Sequence, residues 1–246
     1  MTFKIIRQVL QRPFLFNFIL IFILSGIIPY ECSAQTSSNK AIQISVNKRY
    51  FIYGNDKPFF WLGDTEWDMF NLFSVSDADD FLVRRKEQGF NVIQVMAKGG
   101  FPDWSPLGTL KAMRGEQAWL NNNPLTPNEN YFLQMDSIVK IAEELQILLV
   151  IAVYHARDVE KGWITDQNVE PWAKWLAQRY SNSGNIVWSM YPHAEQSSVP
   201  IIRAAVKGLT EGDSGNHMIT MHPDPSPKSS SFMHSELWLS FNTLQT

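Results

Sequence analysis

Short apolar runs recur along the chain, and each is closed by polar or aromatic groups. Phe59–Leu62 runs uninterrupted between Pro58 and Gly63, then leads into Asp64, Thr65, Glu66 and Trp67. Asn91–Met96, Ile147–Val153, Asn185–Met190, His217–Met221 and Leu239–Leu244 follow in order. Runs this short read as strands of a parallel sheet covered on both faces. Upstream, Ile42–Val46 and Tyr50–Tyr53 cluster apolar residues around Asn47-Lys48-Arg49, which predicts an N-terminal β-hairpin.

Between the strands the apolar period turns helical. Ser76 with Asp79 three residues on predicts a helix start and Gly89 its stop, with Ala78, Phe81, Leu82 and Arg85 at helical spacing. Thr126-Pro127-Asn128-Glu129 combines an N-cap, a proline at the first helical position and a capping Glu, ahead of a helix burying Phe132, Met135, Val139, Ala142 and Leu145. Pro171–Tyr180 and Val199–Glu211 are the remaining helices. Alternating strands and helices argue for a parallel sheet with right-handed crossovers. The six strands end in Asp64, Lys98, Tyr154-His155, His193 with Glu195, His222 with Asp224, and Gln245. Ligand groups at every strand end fit a barrel better than a doubly wound sheet, which concentrates them at one switch point. The expected fold is an α/β TIM (β/α)8 barrel, incomplete at about six βα units. The Gly-, Pro- and Asn-rich stretch Ala97–Leu125, with Trp104 and Trp119, is long enough to predict a functional loop.

The N-terminus stands outside this pattern. Lys4, Arg7 and Arg12 precede the apolar run Phe14–Ile28, and Cys32-Ser33-Ala34 supplies the small residues of a cleavage site. This predicts a signal peptide over residues 1–34, cut between Ala34 and Gln35, and a secreted or periplasmic mature chain. The competing readings are a membrane anchor, for which the run falls short of the roughly 20 residues of a span, and a lipoprotein at Cys32. Cleavage removes the only cysteine, so residues 35–246 have no disulfide, thiolate metal site or cysteine nucleophile. A formal net charge of −3 gives a nucleic-acid partner no basic footprint. No glycine-rich phosphate loop follows any strand, so no nucleotide cofactor is expected. With nine Trp residues, some are expected to line a ligand site.

The tracts WLGDTEW (Trp61–Trp67), KEQGFNVIQ (Lys86–Gln94), NIVW (Asn185–Trp188), EGDSGNHMITMHP (Glu211–Pro223) and SELWLSFNTLQ (Ser235–Gln245) together resemble the apiosidase-like glycoside hydrolases. The resemblance runs from about Ala41 to the last residue. It implies a secreted (β/α)8 barrel acting on plant polysaccharide side chains. It also places His193 where family members carry the acidic Asp, and Glu195 two residues further on, where it can take over that role. The family's second catalytic carboxylate lies on a later strand, so the expectation is that it falls beyond Thr246.

Glycoside hydrolysis needs two carboxyl groups whose environments separate their pKa values. The strand-end candidates are Asp64, Glu66, Glu195 and Asp224. Glu195, His193 and Asp64 are the expected catalytic groups. Trp67, Gln94, His155, His222, Asn242 and Gln245 are the expected contacts to an oligo- or polysaccharide. Against each stands a bland role: Glu195 as a helix-opening acid, Asp64 as a turn residue, Trp67 as core, Gln94 as a backbone partner. Two motifs are decoys. Gly212-Asp213-Ser214-Gly215 lies between a helix and the next strand, at the face opposite the expected site. His193-Ala194-Glu195 lacks the cysteines of a deaminase zinc site. His217 and His222, five apart along a strand, point to opposite faces, so no metal site is expected. The alternative function is a non-catalytic glycan-binding barrel. Six strands would leave two open sheet edges, which predicts self-association.

Overall fold

The structure, a computed structural model, describes residues 42–99, 117–191, 196–223 and 233–243. The predicted leader and Trp104 lie outside the described residues.

The N-terminal segment is a three-stranded antiparallel sheet, β1 (Gln43–Ile44), β2 (Phe51–Ile52) and β3 (Pro58–Phe59), in that order. The expected hairpin is its first half. Ser45 Oγ closes it by accepting the Arg49 and Tyr50 amides at 3.3 and 3.2 Å. The expected barrel strand Phe59–Leu62 is overturned. Phe59 joins the antiparallel sheet, while Phe60 and Leu62 are 78% and 39% exposed. The Asn91 side chain ties this stretch instead, donating to Phe60 O at 2.6 Å and accepting from Leu62 N at 2.9 Å. The first barrel strand is β4 (Gly63–Thr65), one step later.

From there the chain alternates as expected. After a single helical turn, α1 (Met69–Leu72), come α2 (Val75–Glu87), β5 (Val92–Met96), α3 (Glu129–Glu144), β6 (Leu148–His155), the short α4 (Ala156–Glu160), α5 (Val169–Arg179), β7 (Ile186–Tyr191) and α6 (Val199–Asp213). The sheet β4-β5-β6-β7 is parallel throughout. Parallel bridges Trp188↔Ile219 and Ile219↔Leu239 extend it. The described residues therefore make six parallel strand positions of an incomplete TIM barrel, the last two reduced from the expected His217–Met221 and Leu239–Leu244 to single bridges.

Helix starts shifted for local reasons. Ser74 and Asp77 form the capping box of α2, two residues before the expected pair. That start brings Val75 into the helix and against the core. Asn128, not Thr126, caps α3, its side-chain oxygen accepting from Asn130 N at 3.2 Å, while the Thr126 hydroxyl donates to Leu120 O at 3.0 Å. Arg179 then clamps α5 to α3 through Glu129 and Asp136 at 2.7 to 2.9 Å.

Side-chain parity sorts the sheet into two faces. Ile93, Val95, Leu149, Ile151, Ile186 and Trp188 face the helices. Val92, Leu148, Val150 and Val187 face the barrel interior, where Ile42, Phe59, Phe51, Trp61 and Phe241 plug the end from which the strands start. Trp119, Trp172 and Trp188 are fully buried, so much of the tryptophan content serves packing. Asp213 and His217 also sit at the starting end. The Asp213 carboxylate accepts from Trp188 Nε1 at 2.9 Å, Gly215 N at 2.8 Å and His217 Nδ1 at 2.7 Å. His217 Nε2 meets the Ser183 carbonyl at 2.7 Å. The Gly212-Asp213-Ser214-Gly215 tract is thus the structural end of α6, with Ser214 capping the helix in the left-handed region at φ 60°.

Candidate functional site

The interior face ends, at the carboxyl ends of the strands, in four rings. Trp67 lies two residues past β4 and is anchored by its carbonyl, which accepts from Met96 N at 3.0 Å. Tyr191 closes β7, and parity from Val187 through Ser189 turns it inward. The His222 amide donates to Met190 O at 2.7 Å, which sets its ring beside Tyr191. Trp67 stacks on Tyr191 with centroids 5.6 Å apart and 25° between planes. His222 meets Trp67 edge-on at 5.2 Å and Tyr191 at 4.5 Å. His155 meets Tyr191 edge-on at 4.5 Å. Three of the expected contact residues, Trp67, His155 and His222, are therefore neighbours.

His155 reaches this cluster through a break in alternation. The β6–β7 register shifts between Ala152 and His155. Ala152 packs inward with Met96 and Tyr191, while Val153 and Tyr154 both pack into the helix-side core. A bulge re-aims the next side chain. Tyr154, expected at the strand tip with His155, faces the helices, and His155 faces the rim.

The acids are distributed differently from expectation. Asp64 pairs in register with Ile93, which faces the helices, so parity carries its side chain to the outside. There it forms an ion pair with Arg85 of α2, and its other oxygen accepts from Thr65 N at 2.8 Å. Asp64 is a sheet-to-helix tie, and the structure does not bring it to the rings. Burial pushes the Glu66 carboxyl above its ordinary value. Asp68 and Asp64 push the same way, against a backbone hydrogen bond at Asp68 and the charge of Arg85. Gln94 sits on the interior face, donating to Thr65 Oγ1 at 3.3 Å. Asn242 is exposed, between Phe241, whose ring packs on Trp61 at 5.4 Å, and Thr243, whose hydroxyl meets Thr220 at 3.0 Å. His193, Glu195, Gln245 and Asp224 lie outside the described residues. Among the described residues no cluster of three or more His, Cys, Asp or Glu could hold a metal, and no helix is long and apolar enough to cross a membrane.

Sequence reading missed Tyr191 and the pair Lys98–Asp158. Lys98 Nζ and Asp158 Oδ1 meet at 2.7 Å with 9% and 1% of their side chains exposed. Tyr191 could have been found by counting twos from Val187. The ion pair, 60 residues apart in sequence, carried no signal. The cluster sets the half-buried Trp67 and His222 rings over the buried His155 and Tyr191, a mixture of aromatic surface and polar ring atoms suited to a ligand that is apolar on one face and hydroxylated at its edges.

The fold and its rim define a TIM-barrel protein of the kind that builds its site at the carboxyl ends of the strands. A family model described as the apiosidase-like catalytic domain matches residues 45–246, and the chain belongs to that family. Among solved structures it is similar to a family 5 glycoside hydrolase from Bacteroides vulgatus, with 25% identity and a TM-score of 0.74 over 84% of this chain and 44% of that one. A second structure, described as a glycoside hydrolase, matches with 25% identity and a TM-score of 0.70 over 85% of this chain and 46% of that one. A family 5 mannosidase from Rhizomucor miehei shares the fold, with 13% identity and a TM-score of 0.59 over 79% of this chain and 58% of that one. The chain spans 44% and 46% of the length of the first two. A search of curated proteins finds no match.

Proposed function

We propose that the chain is the core of a secreted glycoside hydrolase acting on plant polysaccharide side chains through a carboxylate acid/base pair at the carboxyl-end rim. The observation that carries this reading is the convergence of Trp67, His155, Tyr191 and His222, from four strand ends, with ring centroids 4.5 to 5.6 Å apart. In this reading the rings bind the sugar, with Gln94, Asn242 and Gln245 as further hydroxyl partners. Glu195 supplies the acid, with His193 beside it. Secretion is supported by the leader pattern of residues 1–34. The test is sugar release and calorimetric binding on a panel of plant cell-wall oligosaccharides. Trp67→Ala should weaken binding by roughly 2- to 10-fold, the equivalent of about 0.5–1.5 kcal/mol for an aromatic contact. Glu195→Gln should abolish release and leave binding intact. Unchanged binding in Trp67→Ala would overturn the reading.

One observation favours a second reading, a glycan-binding barrel without chemistry. The Arg85 guanidinium engages Asp64, so a carboxylate expected at the mouth is committed to structure. Binding without release by the wild-type chain would select it. The interior-facing positions Gly63 and Thr65 of β4 are exposed, which supports self-association through that edge. A strict monomer by light scattering would refute this part.

A further inference from the structure

Three buried interactions surround the end of β6 and lie outside its parallel ladder. Trp172 Nε1 donates to Val153 O at 3.0 Å. The His155 amide donates to Asp158 Oδ2 at 3.0 Å, and Lys98 Nζ donates to Asp158 Oδ1 at 2.7 Å. The same ammonium lies over the rings of Trp163 and Trp119, at 4.4 and 5.1 Å. Taking a charge pair out of water yields little net stability. Its place, where β5 leads out to the rim, calls for another explanation.

The His155 ring supplies one. Its Nδ1 accepts from the Arg157 amide at 3.0 Å, completing a reciprocal cap in which Asp158 takes the His155 amide. An accepting Nδ1 has no proton, so the neutral ring carries its proton on Nε2. Nε2 is enclosed within the ring cluster, and Tyr191 packs edge-on against the imidazole at 4.5 Å.

We propose that Lys98 and Asp158 are positioning residues for His155. Lys98 fixes the Asp158 carboxylate, Asp158 fixes the turn after β6, and the turn fixes His155 with its proton on Nε2. That atom is enclosed beneath the rim, where a sugar hydroxyl oxygen reaches it only when the ring cluster opens around a ligand. Neither Lys98 nor Asp158 touches the ligand in this arrangement. The use made of the donor rests on the glycan reading above. The tautomer and its dependence on the ion pair do not.

The experiment is long-range proton–nitrogen NMR on the full chain with labelled histidine, at pH 8, where a free imidazole is neutral. Wild-type His155 should show an unprotonated Nδ1 and a protonated Nε2, in a single form. Asp158→Asn leaves one oxygen where two acceptors are used, and Lys98→Met leaves the carboxylate without its partner. In both, His155 should become a mixture of tautomers while thermal unfolding stays cooperative. A wild-type ring protonated on Nδ1 would overturn the proposal. So would folded variants that keep the wild-type pattern. Failure of both variants to fold would make the pair a folding element and overturn the positioning role. An intact tautomer with no oligosaccharide bound would sink the glycan reading and leave this one standing.

Discussion

Replacing Gly208 of α6 by alanine sets two ordinary expectations against each other. Glycine in a helix interior is about 1 kcal/mol less favourable than alanine, so propensity alone predicts stabilisation. The packing of α5 against α6 predicts the reverse. A Cβ built on Gly208 lies 2.2 Å from Glu170 O and 3.0 Å from Ala173 Cβ. On the next turn, a Cβ on Gly212 would lie 2.5 Å from Lys174 O and 2.7 Å from Ala177 Cβ. The obstructing atoms are α5 backbone, which cannot rotate away, so the helices must separate by about 1 Å. Overpacking of this kind costs about 1–3 kcal/mol, and a backbone obstruction belongs at the upper end. Set against the propensity gain, the net loss is about 2 kcal/mol, which for a chain of this size lowers Tm by roughly 4–8 °C.

The assay is thermal unfolding of Gly208→Ala followed by circular dichroism. Gly89→Ala is the control, because its Cβ meets nothing within 4 Å and only the φ of +90° opposes it. Gly212→Ala should destabilise as well, and the double variant should lose less than the sum, since one separation makes room for both methyls. A Tm at or above wild type for Gly208→Ala would refute the close-approach argument and leave propensity in charge.

Three smaller predictions concern charge. Asp64→Asn removes a pair whose partners are 29% and 32% exposed, so stability should fall by no more than about 1 kcal/mol. Oligosaccharide affinity should be unchanged, and a drop in affinity would return Asp64 to the site. Glu66 has its pKa raised by burial and by neighbouring Asp68 and Asp64. Its ionisation therefore opposes folding once pH rises above the ordinary carboxylate range. Glu66→Gln should stabilise the chain at pH 7 and have no effect at pH 3, as read by urea unfolding. For Asp213, burial pushes the carboxyl up, but hydrogen bonds from His217 and Trp188 outweigh it and hold the pKa low. Its contribution is thus present in full at neutral pH and is lost as pH falls below about 4. The stability gap between wild type and Asp213→Asn should be widest at pH 6 and shrink towards pH 3; a gap independent of pH would contradict the assignment.

Much of the architecture was legible because strands buried on both faces leave an unambiguous mark. Ile147–Val153 and Asn185–Met190 each fall within about two residues of β6 and β7. The rim was partly legible for the same reason, since polar groups just past a buried strand have few other places to go. Phe59–Leu62 misled because an apolar run reports burial without naming the partner. Phe59 and Trp61 are apolar to plug the barrel against Phe51, Phe241 and Val92. Starting β4 at Gly63 then decided Asp64. Second in a strand whose first and third residues face inward, it had to face Arg85.

The bulge in β6 shows why a contact residue can be named correctly for an incomplete reason. Strict alternation from the inward Ala152 would turn Tyr154 into the mouth and bury the His155 imidazole among the helix-side core residues. One extra residue exchanges them: the large, mostly apolar Tyr154 goes to the core at 2% exposure, and the imidazole goes to the rim. A bulge gives up ladder hydrogen bonds, and here side chains from other elements replace them. Trp172 takes Val153 O and Asp158 takes the His155 amide. The orientation of a rim side chain is therefore set by the Trp172 indole, 19 residues beyond the Val153 carbonyl that it holds, and by a lysine on the neighbouring strand end. Neither is visible as a motif, and both are read only when every buried donor and acceptor around the strand end is followed to its partner.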